Sequence, residues 1–350
     1  MPDLREVFEM TIKQMGEPDL DSWREQENRQ RKANRNKKLG AIAVAAVLAG
    51  AGVVLGISML RSDEVQPGGS GPNSTLTPKG VKQQSLSVVD VRSGAETTTL
   101  TVPSSASGFD VSLDGSMAAY TDVDENGNAQ VFVMDIGGSN ARQLTTGEGG
   151  VSTSVGLPGV GTAGDLDWSP DGSMIAYQRD TSDGHQIFTV RVSDGVSTRV
   201  TNEPQGAVVP SWAPDGGSIV FSIPNPSVNH YSALSVDLTT GQTRQIVPDG
   251  STPELSPDGA WIAFNSWSKP PHIRLILANS DGSGRHVVAR FNGDDGYQEW
   301  SPDSTQIAFV ADIDENGFGT HVYDLATGET RFVTGGTIET WIDDHHILVS

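Results

Sequence analysis

Short apolar runs separated by polar turns recur along most of the chain after residue 85. Six segments share one pattern, in which an apolar run leads into a turn and a second apolar run follows: FDVSLDGSMAAY (109–120), LDWSPDGSMIAY (166–177), PSWAPDGGSIVF (210–221), PELSPDGAWIAF (253–264), QEWSPDSTQIAF (298–309) and ETWIDDHHILVS (339–350). Their aligned turn aspartates are Asp114, Asp171, Asp215, Asp258, Asp303 and Asp344. Most steps between them are in the low forties, and each unit holds four strand-like runs. This spacing predicts the blades of a β-propeller.

The turn residues support a hairpin in each unit. In the segment Ser169-Pro170-Asp171-Gly172, proline fixes its own φ and glycine permits a left-handed exit from the turn. Large apolar side chains flank these turns, and we expect them to wedge between neighbouring blades: Trp168, Trp212 and Trp300 before the turn, and Ile175, Ile219, Ile262 and Ile307 after it.

The two ends of the repeat region complete each other. Residues 86–102 match only the second half of a unit, and residues 339–350 match only the first half. A blade built from both ends would close the ring and remove exposed strand edges. The sequence therefore predicts an all-β, six-bladed β-propeller over residues 86–350.

A different pattern precedes the repeats. Residues 39–60 form an uncharged apolar stretch long enough to cross a bilayer as a helix. Seven basic residues lie shortly before it, so the positive-inside rule predicts a cytoplasmic tail (1–38) and an extracytoplasmic propeller. A cleaved signal peptide would be shorter, and a buried soluble helix would carry a polar face.

The segments before and after this span have different sequence patterns. Apolar residues in the tail recur at helical spacing, which predicts a short helical cytoplasmic tail that lies on the membrane or binds a cytoplasmic partner. Residues 61–85 are rich in Gly, Pro, Ser and Thr, as flexible linkers are. The predicted localisation is the cell membrane, with a single pass.

The charge and the amino-acid composition exclude some classes of function. The net charge is −21, and nearly all of the excess negative charge follows residue 60. Nucleic acid is therefore an unfavourable partner, whereas cations or basic partners are favoured unless the charge only solvates the surface. The chain has no cysteine, which excludes disulfides, thiolate nucleophiles and cysteine-held metals.

The repeated core resembles a known family. The WSPDG-x-x-IAF phrase, followed by a strand such as VFVMD and then LT, is similar to the WD40-like PD40 repeat found in TolB-type propellers and in the propellers of prolyl-oligopeptidase-type peptidases. The layout of tail, anchor and propeller resembles membrane-anchored proteins of the kind seen in actinobacteria. The resemblance implies the fold, but TolB carries a further α/β domain before its propeller and the peptidases carry a hydrolase domain, neither of which matches residues 1–85 or the repeats.

No linear motif indicates catalysis. The sequence lacks the G-x-S-x-G, H-E-x-x-H and P-loop signatures, and its histidines fall in different units. We therefore expect no catalytic residues and no bound cofactor, although carboxylates that converge in a propeller channel would favour an enzyme. The loops opposite the SPDG turns are long and varied, as in 147–165, and we expect a protein or saccharide ligand on that variable-loop face.

Two loops on that face repeat the phrase D-x-D-x-N-G, which places oxygen ligands at alternate positions. They supply Asp122, Asp124 and Asn126 in the first loop, and Asp312, Asp314 and Asn316 in the second. Such spacing is typical of calcium loops, but the twelfth positions are Val133 and Tyr323, so no glutamate completes the shell. The two readings are a weak calcium site and a polar hairpin turn.

The function favoured by the sequence is a membrane-anchored binding or scaffolding module. One alternative is a propeller hydrolase or lyase acting on saccharides or peptides through channel carboxylates. The other is a transmembrane sensor that relays ligand binding to a cytoplasmic partner of the tail. The sequence does not identify the ligand, the role of the tail or the oligomeric state.

Overall fold

The computed structural model describes residues 83–147, 151, 166–227, 230–266, 272–292, 297–312 and 317–350. These residues form six antiparallel sheets of four strands each. The predicted tail and membrane span lie outside them, as does nearly all of the linker. Among the described residues, no helix has the length and apolar character needed to span a membrane.

Five blades are built from consecutive strands. Blade 1 holds β3 (Ser107–Val111), β4 (Met117–Val123), β5 (Ala129–Asp135) and β6 (Arg142–Gln143); blade 2 holds β7 (Leu166–Trp168), β8 (Met174–Thr181), β9 (Gly184–Arg191) and β10 (Ser197–Arg199). Blade 3 holds β11 (Val208–Trp212), β12 (Ser218–Asn225), β13 (His230–Asp237) and β14 (Thr243–Val247); blade 4 holds β15 (Ser251–Leu255), β16 (Trp261–Ser266), β17 (His272–Asn279) and β18 (His286–Asn292). Blade 5 holds β19 (Gln298–Trp300), β20 (Gln306–Asp312), β21 (Phe318–Asp324) and β22 (Thr330–Thr334).

The sixth blade joins the two ends of the repeat region, as the sequence predicts. It contains β1 (Gln83–Asp90), β2 (Glu96–Pro103), β23 (Ile338–Asp343) and β24 (His346–Val349), in the order β2-β1-β24-β23. Strand β1 pairs antiparallel with β24, with Ser87 opposite Val349 and Asp90 opposite His346. The ring is therefore closed by hydrogen bonds between its first and last strands.

The SPDG turns have the predicted geometry. Gly172 donates its N–H to the Ser169 carbonyl at 2.8 Å and adopts a φ of +70°. The Asp171 carboxylate accepts hydrogen bonds from the Ser169 hydroxyl at 2.7 Å and from the Ser173 nitrogen at 3.0 Å. These contacts fix the hairpin between the first and second strands of the blade.

Apolar side chains fill the spaces between blades. One cluster combines Val131 and Leu144 of blade 1 with Trp168, Ile175 and Tyr177 of blade 2, and all five are buried. Trp212 and Ile219 of blade 3 pack in the same way with Ile187 of blade 2. The tryptophans and isoleucines around the turns are therefore wedges between blades, as predicted.

The first strand of each blade is the innermost one. These six strands contact one another in a ring, β3 with β7, then β11, β15, β19 and β23, and back to β3. They form the wall of a central channel. Because the SPDG turns follow these strands, the turns lie at one end of the channel and the variable loops at the other.

Candidate functional site

One position of the innermost strand carries a polar residue in every blade. The six residues at this position are Asp110, Asp167, Ser211, Glu254, Glu299 and Thr340. Successive side chains of a strand point to opposite faces. In blade 2, Leu166 and Trp168 pack into the cluster between blades, and Asp167 between them faces the channel. Four carboxylates from four blades thus reach the same channel.

A β-bulge precedes this position in four of the blades, and in the sixth blade it lies between Ile338 and Thr340. The register slips by one residue between Ser107 and Asp110 in blade 1, and the residue inside the slip, Gly108, has a φ of +60°. The equivalent residues in blades 3 and 4 are Val209, with a φ of +52°, and Thr252, with a φ of +49°. Bulges re-aim the side chains that follow them, here toward the channel.

The carboxylates tie each blade to the next. Asp110 accepts a hydrogen bond from the Trp168 main-chain nitrogen at 2.8 Å, and the Trp168 indole donates to the Asp110 carbonyl at 3.1 Å. Glu254 and Trp300 repeat this reciprocal pair between blades 4 and 5, at 3.0 and 3.3 Å. The Asp167 carboxylate likewise accepts the Trp212 main-chain N–H. These bonds satisfy one oxygen each of Asp110, Asp167 and Glu254, and the other oxygen of Asp110 accepts the Val111 nitrogen at 2.8 Å and the Thr340 hydroxyl at 3.2 Å.

The channel strongly disfavours the charged form of these groups. Burial raises the pKa of Asp110 to about 6. Burial, together with the charge of neighbouring channel carboxylates, also holds the pKa values of Asp167, Glu254 and Glu299 well above their usual range. Within the described residues, no Lys, Arg or His forms an ion pair with any of the four. Among the described residues, these carboxylates therefore have hydrogen-bond donors but no basic partner.

Two cavities occupy the channel, and the carboxylates lie between them. The larger, of about 180 Å³, is at the SPDG end and is lined by all six channel-facing residues, by Trp168, Trp212, Trp300 and Trp341, and by turn residues such as Leu113 and Pro170. The smaller, of about 40 Å³, is at the variable-loop end and is lined by Val209, Thr252, Tyr297 and Gln298 among others. Asp167, Ser211, Glu254 and Glu299 line both. The larger cavity therefore opens toward the uniform face and not toward the varied loops.

Two atoms of residues that line the larger cavity lack a hydrogen-bond partner among the described residues. They are the indole Nε1 of Trp212 and the Oε2 of Glu254. The corresponding indoles of Trp168, Trp300 and Trp341 each donate to a main-chain carbonyl of the preceding blade. Blade 3 therefore lacks the hydrogen bond from its tryptophan indole to the preceding blade that blades 2, 5 and 6 form.

The predicted calcium loops do not contribute to this channel site. Asp122 and Asp124 lie at the loop between β4 and β5, where Asp124 Oδ1 accepts the Asn126 and Asn128 nitrogens at 2.9 Å each. Hydrogen bonding by the Asn128 main chain lowers the pKa of Asp124. Its carboxylate thus caps the hairpin.

The second loop lies mostly outside the described residues. Asp312 ends β20, whereas Asp314 and Asn316 fall outside the described residues. Within the described part of the chain, no three His, Cys, Asp or Glu side chains are arranged to hold a metal ion. Calcium binding by Asp122, Asp124, Asn126, Asp312, Asp314 and Asn316 stays a prediction.

Residues 80–294 match the family described as PD40, the TolB beta propeller domain. The chain belongs to this family.

Two relatives share part of their length with this chain. The chain is 28% identical over 183 residues to the Agrobacterium fabrum protein Atu1656, which covers 50% of this chain and 59% of that protein. It is 24% identical over 159 residues to the peptidase YuxL of Bacillus subtilis, covering 45% of this chain but only 23% of the relative. In each case the match thus covers only part of the relative, and the covered share is smaller for the peptidase.

A solved structure supports the fold. TolB from Acinetobacter baumannii superposes with a TM-score of 0.57 at 13% sequence identity, covering 78% of this chain and 66% of that one. At this level of identity the likeness concerns the propeller architecture alone.

Proposed function

We propose that this protein is a membrane-anchored binding module whose propeller, on the extracytoplasmic side, receives part of a partner in the larger channel cavity. The anchor is the apolar stretch 39–60, with residues 1–38 in the cytoplasm. The observation that carries the binding role is the cavity of about 180 Å³, to which all six blades contribute. Ligand sites are concave, largely apolar and equipped with a few convergent polar groups, and this cavity has each of these properties.

The sequence favours a site on the variable-loop face, but the larger cavity lies at the SPDG end, so we place the proposed site on the SPDG face. The variable loops end at the smaller cavity of about 40 Å³, which has the size for a water molecule and little more. A cavity of about 150 Å³ holds a group the size of benzene, so the larger one admits a side chain of a partner. A protein or saccharide ligand on the variable-loop face remains an alternative that the experiment below distinguishes.

A matched pair of exposed apolar residues allows a direct test. Leu113 lies on the rim of the larger cavity and is 46% exposed, whereas Val123 ends β4 at the opposite face and is 50% exposed. Each is replaced in the full-length, membrane-embedded protein by a photo-crosslinking phenylalanine analogue. We expect a discrete crosslinked partner, identified by mass spectrometry, from position 113 and not from position 123. A product at position 123 alone would move the site to the variable-loop face, and no product at either would refute a binding module.

An enzyme is the second candidate, because four carboxylates do converge in the channel. Raised pKa values suit a general acid, and a hydrolase or lyase acting on saccharides or peptides would need one. However, Asp110, Asp167 and Glu254 each use an oxygen to hold the next blade. The test measures the turnover of a panel of oligosaccharides and peptides. An activity that Glu254→Gln loses while its fold stays intact would favour the enzyme. A sensor that relays to residues 1–38 requires in addition a partner that co-purifies with that tail.

A further inference from the structure

We propose that one sector of the variable-loop face rests on the bilayer that holds the anchor. The sector is formed by blades 5, 6 and 1, and its exposed apolar side chains Val123 and Phe318 insert among zwitterionic lipid headgroups. This inference rests on the proposed membrane anchor and specifies the orientation of the propeller. The larger cavity, at the SPDG end, then faces away from the membrane and toward a partner.

The chain enters the propeller on the variable-loop face. Strand β1 pairs with β24, with Asp90 opposite His346 and Ser87 opposite Val349. His346 follows the turn of the sixth repeat, so Asp90 lies at the SPDG end of blade 6. Gln83, at the other end of the eight-residue strand β1, therefore lies at the variable-loop end. The segment that joins the predicted membrane span to the propeller thus arrives on this face.

Two hairpins flank the entry point. Strands β24 and β1 are the second and third strands of blade 6, so the entry at Gln83 takes the place of the hairpin that joins these strands in the other blades. Blades 5 and 1 are the neighbours of blade 6, because β23 contacts both β19 and β3. Val123 ends β4 at the hairpin of blade 1, and Phe318 begins β21 at the hairpin of blade 5. The two apolar residues therefore lie on either side of the entering chain.

Both side chains are about half exposed to solvent. Val123 is 50% exposed and Phe318 is 48% exposed; of the other described residues, only Leu113 and Val196 are large, apolar and comparably exposed, and both lie at the SPDG end. An isolated exposed apolar residue needs no explanation by itself. The position of Val123 and Phe318 carries the argument, because they flank the point of the propeller that is tethered to the bilayer. Apolar side chains bury about 5–10 Å into the boundary between headgroups and acyl chains.

The tether keeps this face close to the bilayer. Residues 61–82 are the 22 residues between the predicted span and β1, and fully extended they reach about 75 Å. A Gly- and Ser-rich coil of this length has a root-mean-square end-to-end distance of about 25 Å. Tethering over such distances gives effective concentrations in the millimolar range, so weak insertion of two side chains is enough to hold the face on the membrane.

The charges beside the two residues select the lipid. Asp122 and Asp312 lie at the ends of β4 and β20, which lead into these hairpins, and Glu125 is exposed in the first hairpin. The negative surface potential of anionic lipids repels such carboxylates. The outermost group of phosphatidylcholine is a positively charged ammonium, which is compatible with them. The contact is therefore expected to be apolar in origin and to be weakened by anionic lipid.

The test uses the absence of cysteine from the sequence, which allows one introduced cysteine to be labelled at a time. Val123→Cys, Phe318→Cys and Val196→Cys are each made in the full-length protein, labelled with a fluorophore and reconstituted into phosphatidylcholine vesicles that contain a nitroxide-labelled lipid. Val196 is the matched control, because it is a valine with the same 50% exposure in the turn between β9 and β10. We expect the nitroxide to quench most of the emission at positions 123 and 318 and almost none at 196.

A second comparison assigns the contact to the two apolar side chains. A label at Asn126→Cys, in the exposed part of the blade 1 hairpin, is compared with the same label in protein that also carries Val123→Ser and Phe318→Ser. The double serine change should remove most of the quenching, and replacement of half of the phosphatidylcholine by phosphatidylglycerol should reduce it. Since both substituted side chains are exposed, the melting curve should stay nearly unchanged.

The outcomes separate this inference from the function on which it rests. Equal quenching at positions 123 and 196 would overturn it, and so would quenching at position 126 that survives the double serine change or grows with anionic lipid. Protein that does not float with the vesicles would refute the anchor as well. Protein that floats with equal quenching would refute only the docked orientation, and the crosslinking result at position 113 still decides whether the channel mouth binds a partner.

Discussion

The Asp110 side chain accepts the main-chain N–H of Trp168 at 2.8 Å, and the Trp168 indole donates to the Asp110 main-chain carbonyl at 3.1 Å. The two residues belong to neighbouring blades, so this reciprocal pair joins blade 1 to blade 2 at the channel wall. It explains how an acidic residue can occupy a desolvated channel, because a buried carboxylate is tolerated when its oxygens accept hydrogen bonds. The acidic groups of the candidate site are therefore also structural.

Substitution of Asp110 tests this double role. Asparagine retains an oxygen acceptor for the Trp168 nitrogen, whereas alanine leaves that nitrogen and the nitrogen of Val111 without their acceptors. A buried donor without a partner costs about 1–3 kcal/mol. We expect Asp110→Ala to be less stable than Asp110→Asn by about that amount in urea unfolding. Equal stability of the two variants would show that the hydrogen bonds to Asp110 do not hold the blades.

The channel carboxylates should also make stability depend on pH. Burial raises the pKa of Asp110 to about 6 in the folded protein, above the value of about 3.9 for an exposed aspartate. A group with a raised folded pKa stabilises the fold at pH values below its unfolded pKa, and this contribution is lost as pH rises through the folded pKa. The raised pKa of Asp110 therefore lowers the free energy of unfolding by about 1–3 kcal/mol between pH 4 and pH 8.

We expect the melting temperature of the propeller to fall as pH rises from 5 to 8, and this fall to be smaller in Asp110→Asn. Aspartates with lowered pKa values, such as Asp183 at about 2, stay ionised across this range and do not contribute. Burial lowers the pKa of His230, which acts in the opposite direction, but both proteins contain His230. Melting by circular dichroism at several pH values checks this. Parallel curves for the wild type and the variant would contradict it.

Much of the architecture could be predicted from the sequence, because the same turn and packing residues recur in several units. The turn around Asp171 and the wedge at Trp168 recur with the unit, and the shared blade follows from two complementary half-units at 86–102 and 339–350. The first strand begins at Gln83, three residues earlier than the predicted boundary, since Gln83 and Gln84 extend the pairing of β1 with β2.

The channel site was not found from the sequence, although a signal for it exists. The residue before each wedge position is polar in all six units, as at Asp167 and Glu254. Alternation along a strand shows that such a residue faces away from the wedge, but not whether it faces solvent or the channel. That depends on the ring and on the bulges before it. Val209 and Thr252 give no sequence indication of a bulge, because β-branched residues rarely adopt a positive φ.

The orientation of the chain in the membrane is the third prediction. Seven basic residues lie between residues 24 and 38, and Asp63 and Glu64 follow the apolar stretch closely, so the positive-inside rule places the propeller outside the cytoplasm. An alkaline phosphatase fused after residue 85 should be active, since that enzyme matures only outside the cytoplasm. A fluorescent reporter that matures only in the cytoplasm is fused at the same site as the reciprocal control. An active cytoplasmic reporter with an inactive phosphatase would reverse the topology.

The D-x-D-x-N-G loops give the fourth prediction. Each loop offers fewer oxygens than the six to eight that calcium takes, so water must complete the shell and affinity should be about 10⁻⁴ to 10⁻³ M. At a Kd of about 0.5 mM, about 5 mM calcium stabilises the fold by about 1.4 kcal/mol per site. The melting temperature should rise with calcium and return with a chelator. The double variant Asp122→Ala with Asp312→Ala should lose this response, and an equal response in both proteins would identify the loops as ordinary hairpin turns.

Two glycines in equivalent turns provide the last test, which concerns how closely the blades pack. Gly195 and Gly241 each follow the third strand of their blade, with φ of +71° and +68°, and each donates its N–H to a carbonyl four residues earlier at 2.8 Å. A Cβ on Gly195 would lie 2.6 Å from the Leu144 carbonyl oxygen of blade 1, whereas a Cβ on Gly241 would meet nothing within 4 Å.

Alanine at either position carries the strain of a left-handed residue, about 1–2 kcal/mol. Only Gly195→Ala must also push blade 2 away from blade 1, and overpacking of this kind costs a further 1–3 kcal/mol or so. Urea unfolding of the two variants should therefore separate the strain within a turn from the contact between blades. Equal losses would mean that blades 1 and 2 can separate at Leu144 without cost, which their shared apolar cluster argues against.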